Sequence, residues 1–155
     1  MAAAVSAPAV PVRRLVEDDF AAQDALRLAF DAEEGLPTQG SEAQRRIAFL
    51  EKVRAERWWG HFEGDRLVAM ACLNTGVADV GQVGGVYTVP ERRRRGYSKA
   101  VMRQLIADSR ERQGMKTLSL FTGETNHPAQ AMYRGLGFEQ IGECGMIFGK
   151  PAMQA

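Results

Sequence analysis

Val86-Tyr-Thr-Val-Pro-Glu-Arg-Arg-Arg-Arg-Gly-Tyr-Ser98 is the stretch on which the reading of this chain turns. A strand ends at a proline, a loop with four arginines and a glycine follows, and a helix begins. Such a junction is an anion site. The first backbone N–H groups of a helix have no partner inside it, and the helix dipole adds partial positive charge at that end. Gly96 lets the backbone approach an oxygen that a Cβ would hold off. A pyrophosphate fits there. The two commoner phosphate motifs, Gly-x-x-x-x-Gly-Lys-Ser/Thr and Gly-x-Gly-x-x-Gly, are both absent. Four arginines alone would serve equally well as a solvated turn; the strand, proline, glycine and amphipathic helix around them favour the cradle.

Working outward, the strand before the loop is expected over Gln82–Val89. Its Gly84 and Gly85 mark a bulge or a close backbone approach. The helix after it carries Tyr97, Ala100, Val101, Gln104, Leu105 and Asp108 on one face and ends at Gly114. Upstream, Val12–Val16 reads as a short first strand. Acids at 17–19 open a helix through Ala22, Leu26, Ala29 and Phe30, closed by Gly35-Leu-Pro37. Ser41 and Gln44 form a capping box for a second helix marked by Ile47, Leu50 and Arg54. Trp58–Phe62 and Leu67–Leu73 make a hairpin about Glu63-Gly-Asp65. Downstream come a strand over Thr117–Thr122, a short helix over Pro128–Arg134, and a closing pair of strands suggested by Ile141 and Met146–Phe148. The predicted order is β-α-α-β-β-β-α-β-α-β-β.

Composition sets the frame. A chain of 155 residues, 45% hydrophobic, suffices for one domain with its own core. Residues 1–11 are expected to be a disordered tail and 12–155 a single domain. A net charge of +1, from 20 basic and 19 acidic residues, supplies no global field toward nucleic acid or an anionic membrane. No run approaches the length of a membrane span, and the first residues lack the charged start and apolar run of a signal peptide. A cytoplasmic protein with two structural cysteines, Cys72 and Cys144, is expected. Trp58-Trp59 would hint at an interface if exposed; burial is the expectation.

With both ends of the loop read, Arg93-Arg-Arg-Gly96-Tyr-Ser98 resembles the acetyl-CoA loop of the GCN5-related N-acetyltransferase (GNAT) superfamily, Gln/Arg-x-x-Gly-x-Gly/Ala. The lead-in Thr88-x-Pro90-Glu91 fits too. Ser98 departs from the pattern, standing where the family has Gly or Ala. A second segment, Asn126-His-Pro-Ala129-Gln-Ala-Met-Tyr133-Arg-Gly-Leu-Gly137-Phe138, resembles the family's Asn-x-x-Ala-x-x-Leu/Met-Tyr-x-x-x-Gly-Phe at every fixed position.

The resemblance implies an α/β GNAT fold, with a central mixed, mostly antiparallel, splayed sheet flanked by helices. It implies direct transfer of an acetyl group from acetyl-CoA to a primary amine of a small molecule or peptide, without a metal. The backbone of Val86, Tyr87 and Thr88 would pair with the pantetheine arm. The amides of Arg94, Arg95, Gly96, Tyr97, Ser98 and Lys99 would hold the pyrophosphate, with arginine side chains, Arg93 included, at the rim. Asn126 would touch the cofactor or simply cap its helix. Tyr133 matches the position that protonates the departing thiolate. The expected strand 82–89 has no acid, so Glu124 is the first candidate for the general base, ahead of Asp79, His61 and Glu143. His61 reads more simply as a strand residue beside Trp59. The acidic connection with Glu33 and Glu34 could favour a cationic acceptor or be solvated. A non-catalytic acyl-CoA-binding module, a nucleic-acid domain using Arg92–Arg95 and another acyl group are the competing readings. Oligomeric state is open, a homodimer being frequent in the superfamily.

Overall fold

The computed structural model describes residues 9–145. The chain divides into two compact units, residues 1–120 and 121–155.

The first unit is built on a five-stranded sheet in the order β1-β2-β3-β4-β5. Its strands are β1 (Arg13–Arg14), β2 (Trp58–Glu63), β3 (Arg66–Val77), β4 (Val80–Thr88) and β5 (Thr117–Leu120). The first four pair antiparallel. β5 lies parallel to β4, so the sheet is mixed, mostly antiparallel and open. The helices of this unit are α1 (Phe20–Glu33), α2 (Glu42–Arg54) and α3 (Tyr97–Gln113).

Neighbouring tryptophans show how the strand period divides the core. Successive side chains of a strand point to opposite faces. Trp58 packs 6.5 Å from Phe49 of α2, whose ring lies 5.6 Å from Phe20 of α1. Trp59 turns to the other face, where its Nε1 donates to Asp108 Oδ2 of α3 at 2.7 Å. Both are buried, as expected of them. Trp59 thus gains apolar contact and satisfies its one donor, whereas the Trp58 Nε1 is buried without a partner among the described residues.

The local signals act as read. Ser41 and Gln44 exchange hydrogen bonds as a capping box at the start of α2. α3 ends at Gly114 in the left-handed conformation. Two faces differ from expectation. Ile47 is 59% exposed, and α2 turns Phe49 inward instead, with Leu50 and Val53 partly buried. α3 buries Val101, Met102, Leu105 and Ser109, leaving Gln104 exposed. Both shifts are rotations of about one residue on a helix whose apolar stripe is narrow. β3 also runs past Leu73 to Val77.

In the second unit, α4 (His127–Gly135) is the one helix among the described residues. Tyr133 packs against Phe138, with ring centroids 6.0 Å apart. The expected closing strand at Ile141 is not formed: this residue is 95% exposed and in irregular structure. Met146–Phe148 lie outside the described residues, as do residues 1–8. No helix among the described residues is long and apolar enough to cross a membrane.

Candidate active site

β4 has two unlike edges. Along β3 it is paired from Val80 to Thr88. Along β5 its ladder covers only Val80–Val83, against Thr117–Leu120. From Gly84 to Thr88 the second edge has no strand partner among the described residues. The register against β3 shifts between Met70/Cys72 and again between Leu73/Thr75. The first shift places an extra β4 residue opposite β3, at Gly85 with φ +58°. A Cβ there would sit 3.0 Å from the Trp58 ring. The second shift places the extra residue on β3, at Asn74. Its side chain fills the space a Cβ on Gly84 would need, 2.0 Å from that position. The glycine pair therefore makes the predicted bulge, and the bulge falls where β5 leaves β4. An unpaired strand edge offers backbone donors and acceptors to an extended ligand.

The free edge runs into the arginine loop. Pro90–Arg92 form a short 3-10 turn, and α3 begins at Tyr97. Arg94 (φ +63°) and Gly96 (φ +78°) are both left-handed. For the arginine this conformation costs roughly 1–2 kcal/mol, and loops hold such strain where the backbone must take a set shape. Nothing lies within 4 Å of a Cβ placed on Gly96. The cradle is open there, and a side chain would occupy it. The first helical hydrogen bond is Ala100 N–H to Gly96 O, 3.0 Å. The amides of Tyr97, Ser98 and Lys99 precede it, and Gly96 supplies no side-chain cap. This is the donor set a phosphate needs.

The four arginines do different things. Arg92 Nε donates to both oxygens of Glu63, at 2.9 and 2.8 Å, and Glu63 also accepts from Tyr97 OH at 3.1 Å. One carboxylate at the end of β2 thus ties both ends of the loop. These bonds, Arg92 foremost, hold the Glu63 carboxyl below its ordinary value. Arg93 Nε donates to Thr88 O at 3.0 Å and its Nη2 to Glu33 Oε2 of α1 at 2.7 Å. Its guanidinium also lies 5.4 Å from the Tyr87 ring centroid. The Arg93 hydrogen bond lowers the Glu33 carboxyl in turn. Arg94 and Arg95 are exposed and make no ion pair among the described residues. Ser98 Oγ and Thr88 Oγ1 share a short hydrogen bond that links the end of β4 to the first turn of α3.

Val86, Tyr87, Thr88 and the loop through Lys99 are therefore continuous in space. The Tyr87 ring is buried and turned toward Phe30 of α1, 5.9 Å away. The connection's Glu33 is spent on Arg93. His61 is buried beside Trp59: its Nδ1 lies 2.7 Å from Pro11 O, and its ring packs 4.4 Å from Tyr97. Asp79 sits by the β3–β4 turn, 3.3 Å from Lys116 Nζ.

In the second unit, Asn126 Oδ1 accepts from Ala129 N at 3.3 Å and so caps α4. Tyr133 is buried, and burial pushes its hydroxyl up to about 12. Glu124 and Glu143 are exposed, and the Glu124 carbonyl accepts from Gln130 Nε2 at 2.9 Å.

Sequence reasoning missed Glu63, Glu33 and Asn74 as loop and bulge partners. Each is brought to the site from a distant element, and no local pattern marks it.

A splayed strand pair, a glycine bulge and an arginine-rich helix start define an acyltransferase-type α/β fold. The family model described as "Acetyltransferase (GNAT) family" matches residues 21–138. The chain belongs to that family. Solved structures agree in fold. A predicted acetyltransferase from Clostridium acetobutylicum, with acetyl-CoA, superposes with a TM-score of 0.72 at 17% identity, over 89% of this chain and 95% of that one. A GNAT-family protein from Xanthomonas campestris pv. campestris gives 0.67 at 25% identity, over 88% of each chain. An aminoglycoside 6'-N-acetyltransferase from Acinetobacter haemolyticus gives 0.65 at 18% identity, over 92% and 99%. A search of curated proteins finds no significant match.

Proposed function

We propose that this GNAT-family acetyltransferase moves the acetyl group of acetyl-CoA directly onto a primary amine of a small molecule or peptide. The observation that carries the proposal is the free β4 edge, which runs from the bulge at Gly85 into the open amides at the start of α3. An extended arm with two amides suits the edge at Val86–Thr88. A pyrophosphate suits the amides of Arg94–Lys99, with Arg94 and Arg95 at the rim. The similar C. acetobutylicum structure, with acetyl-CoA, supports this choice of donor. The family match spans both compact units, which supports reading 12–155 as one catalytic domain.

The chemistry is a single displacement. The neutral amine nitrogen attacks the thioester carbonyl, the C–N bond forms, and the C–S bond breaks. The amine's proton passes to a base, and the departing thiolate takes one from an acid. Tyr133 is our acid: burial pushes its phenol up to about 12, so it stays protonated throughout the working range. Although the shift makes it a weaker acid, its O–H can hydrogen-bond the departing thiolate ahead of proton transfer. Glu124 is our base, its exposed position in the turn before α4 giving it ready exchange with water. Asn126 positions the helix that bears Tyr133.

Calorimetric titration with acetyl-CoA tests the donor site. Gly96→Asp puts a carboxylate into the open cradle at a left-handed position, and should weaken binding at least about 100-fold. Equal binding by wild type and variant would remove the cradle from the reading. Tyr133→Phe should lower kcat about 100-fold with an unchanged Kd for acetyl-CoA. Unchanged kcat would take Tyr133 out of the mechanism.

A further inference from the structure

The face of the β4 bulge that looks toward α1 and α2 carries two part-buried cations. Lys52 of α2 donates to Asn74 Oδ1 at 2.9 Å, and its ammonium lies 5.7 Å from the Trp58 ring centroid. It has no acid partner among the described residues. Arg27 of α1 lies 5.7 Å from the Phe30 ring centroid and gives only Nε to Asp31 Oδ1, at 3.1 Å. Its two Nη atoms have no partner among the described residues.

Lys52 is placed at the bulge by Asn74, and the charge of Arg27 reaches the same Cys72 thiol that Lys52 acts on. Asn74 is pressed against Gly84, and it also accepts from the Cys72 thiol at 3.3 Å. Cys72 faces Gly84 across the β3–β4 ladder. Burial pushes this thiol up to about 11, while Lys52 and Arg27 are the two charges that pull the other way. Asp31 is 1% exposed and cancels one of the two cations. The remaining positive charge sits beside the bulge where β4 parts from β5. A part-buried ammonium whose one protein partner is a neutral amide binds an anion more strongly than a fully exposed one does.

We propose that the amine acetylated by this protein carries an anionic group, a carboxylate or a phosphate, received by Lys52 together with the Nη atoms of Arg27. This rests on the acetyl-transfer reading above and names its substrate class. It runs against the cation-seeking role open to Glu33, whose charge is held by Arg93.

The test is thiol release with paired acceptors: glycine and β-alanine against glycinamide and ethylamine, and aminoethyl phosphate against ethanolamine. The anionic member of a pair should show kcat/KM at least about tenfold higher. Whether carboxylate or phosphate leads separates the two sources. Lys52→Met should raise KM for the anionic amine about tenfold or more and leave KM for the neutral one alone, while Lys52→Arg should recover most of the loss. Calorimetry gives a second readout: the anionic amine should bind the coenzyme A-saturated wild type and not Lys52→Met, with the same acetyl-CoA Kd in both. The wild-type preference decides the matter even where a variant fails to fold. Preference for neutral or cationic amines, or indifference to Lys52→Met, overturns the inference alone. Failure of the wild type to bind acetyl-CoA overturns the donor reading and this inference with it.

Discussion

The two halves of the arginine run, identical in sequence, do opposite work. Arg92 and Arg93 are turned back onto carboxylates from β2 and α1 and hold the loop to the body of its unit. Arg94 and Arg95 are exposed, with no acid partner among the described residues. A run of like residues is therefore not a run of like roles. The pair nearer β4 is structural, and the pair nearer α3 is free of acid partners among the described residues. The division also weighs against nucleic-acid binding through this run, since only half of its charge is free to meet a backbone of phosphates.

Replacing both free arginines should sharpen this contrast most. The Arg94→Ala, Arg95→Ala double variant should bind acetyl-CoA at least about 100-fold more weakly, since two charge-assisted contacts of at least about 1.5 kcal/mol each are lost. Its melting temperature should be unchanged. Wild-type affinity should fall with added salt, and the double variant's should fall less steeply. A lowered melting temperature with intact affinity would invert the assignment of the two halves.

Arg93→Ala should do the reverse. Its ion pair with Glu33 is part-exposed, 41% and 42% by side chain, so after solvent screening it stabilises by under about 1 kcal/mol, with a similar amount from the Tyr87 ring. Melting should drop by roughly 2–4 °C. The pH dependence fixes the cause. Glu33 has a lowered folded value, so its contribution is present above the ordinary glutamate range near ~4.3 and is lost as pH falls through the folded value. The gap between wild type and Arg93→Ala, measured by thermal melts from pH 7 downward, should narrow below about pH 4. A gap constant with pH would assign the stability to the ring contact and the Arg93 Nε–Thr88 O hydrogen bond instead.

The same contrast explains how much was legible in the sequence. The cradle is a local object. Its proline, glycine and helix start act through the backbone of their own neighbours, and so the loop, the bulge at Gly84-Gly85 and the cap at Asn126 could be read directly. The element order could be read for the same reason, up to Gly135. The partners could not. Glu63 and Glu33 reach the loop from 29 and 60 residues away, and Lys52 reaches Asn74 across the β2–β3 hairpin. Nothing local distinguishes these from solvated charges. The inner faces of α2 and α3 were misjudged by about a residue for a related reason: sheet packing, not periodicity, chose Phe49 over Ile47 and Ser109 over Gln104.

Ser98 tests the boundary between the two halves with the smallest effect. It departs from the family's Gly or Ala, and its hydroxyl is taken by Thr88. Its backbone amide, not its side chain, belongs to the cradle. Ser98→Ala keeps that amide and leaves Thr88, 8% exposed, without its hydroxyl partner. The cost should be about 1 kcal/mol, seen as roughly 2–4 °C in the melt, with acetyl-CoA affinity within about twofold of wild type. In Ser98→Ala with Thr88→Val, the two losses should fall short of their sum by about 1 kcal/mol, since a shared bond can be lost only once. Additive losses would mean that the hydroxyls do not depend on each other. A selective loss of affinity would mean that Ser98 Oγ turns from Thr88 to the phosphate when the donor binds, and the structural half of the loop would then begin one residue closer to the helix than these contacts place it.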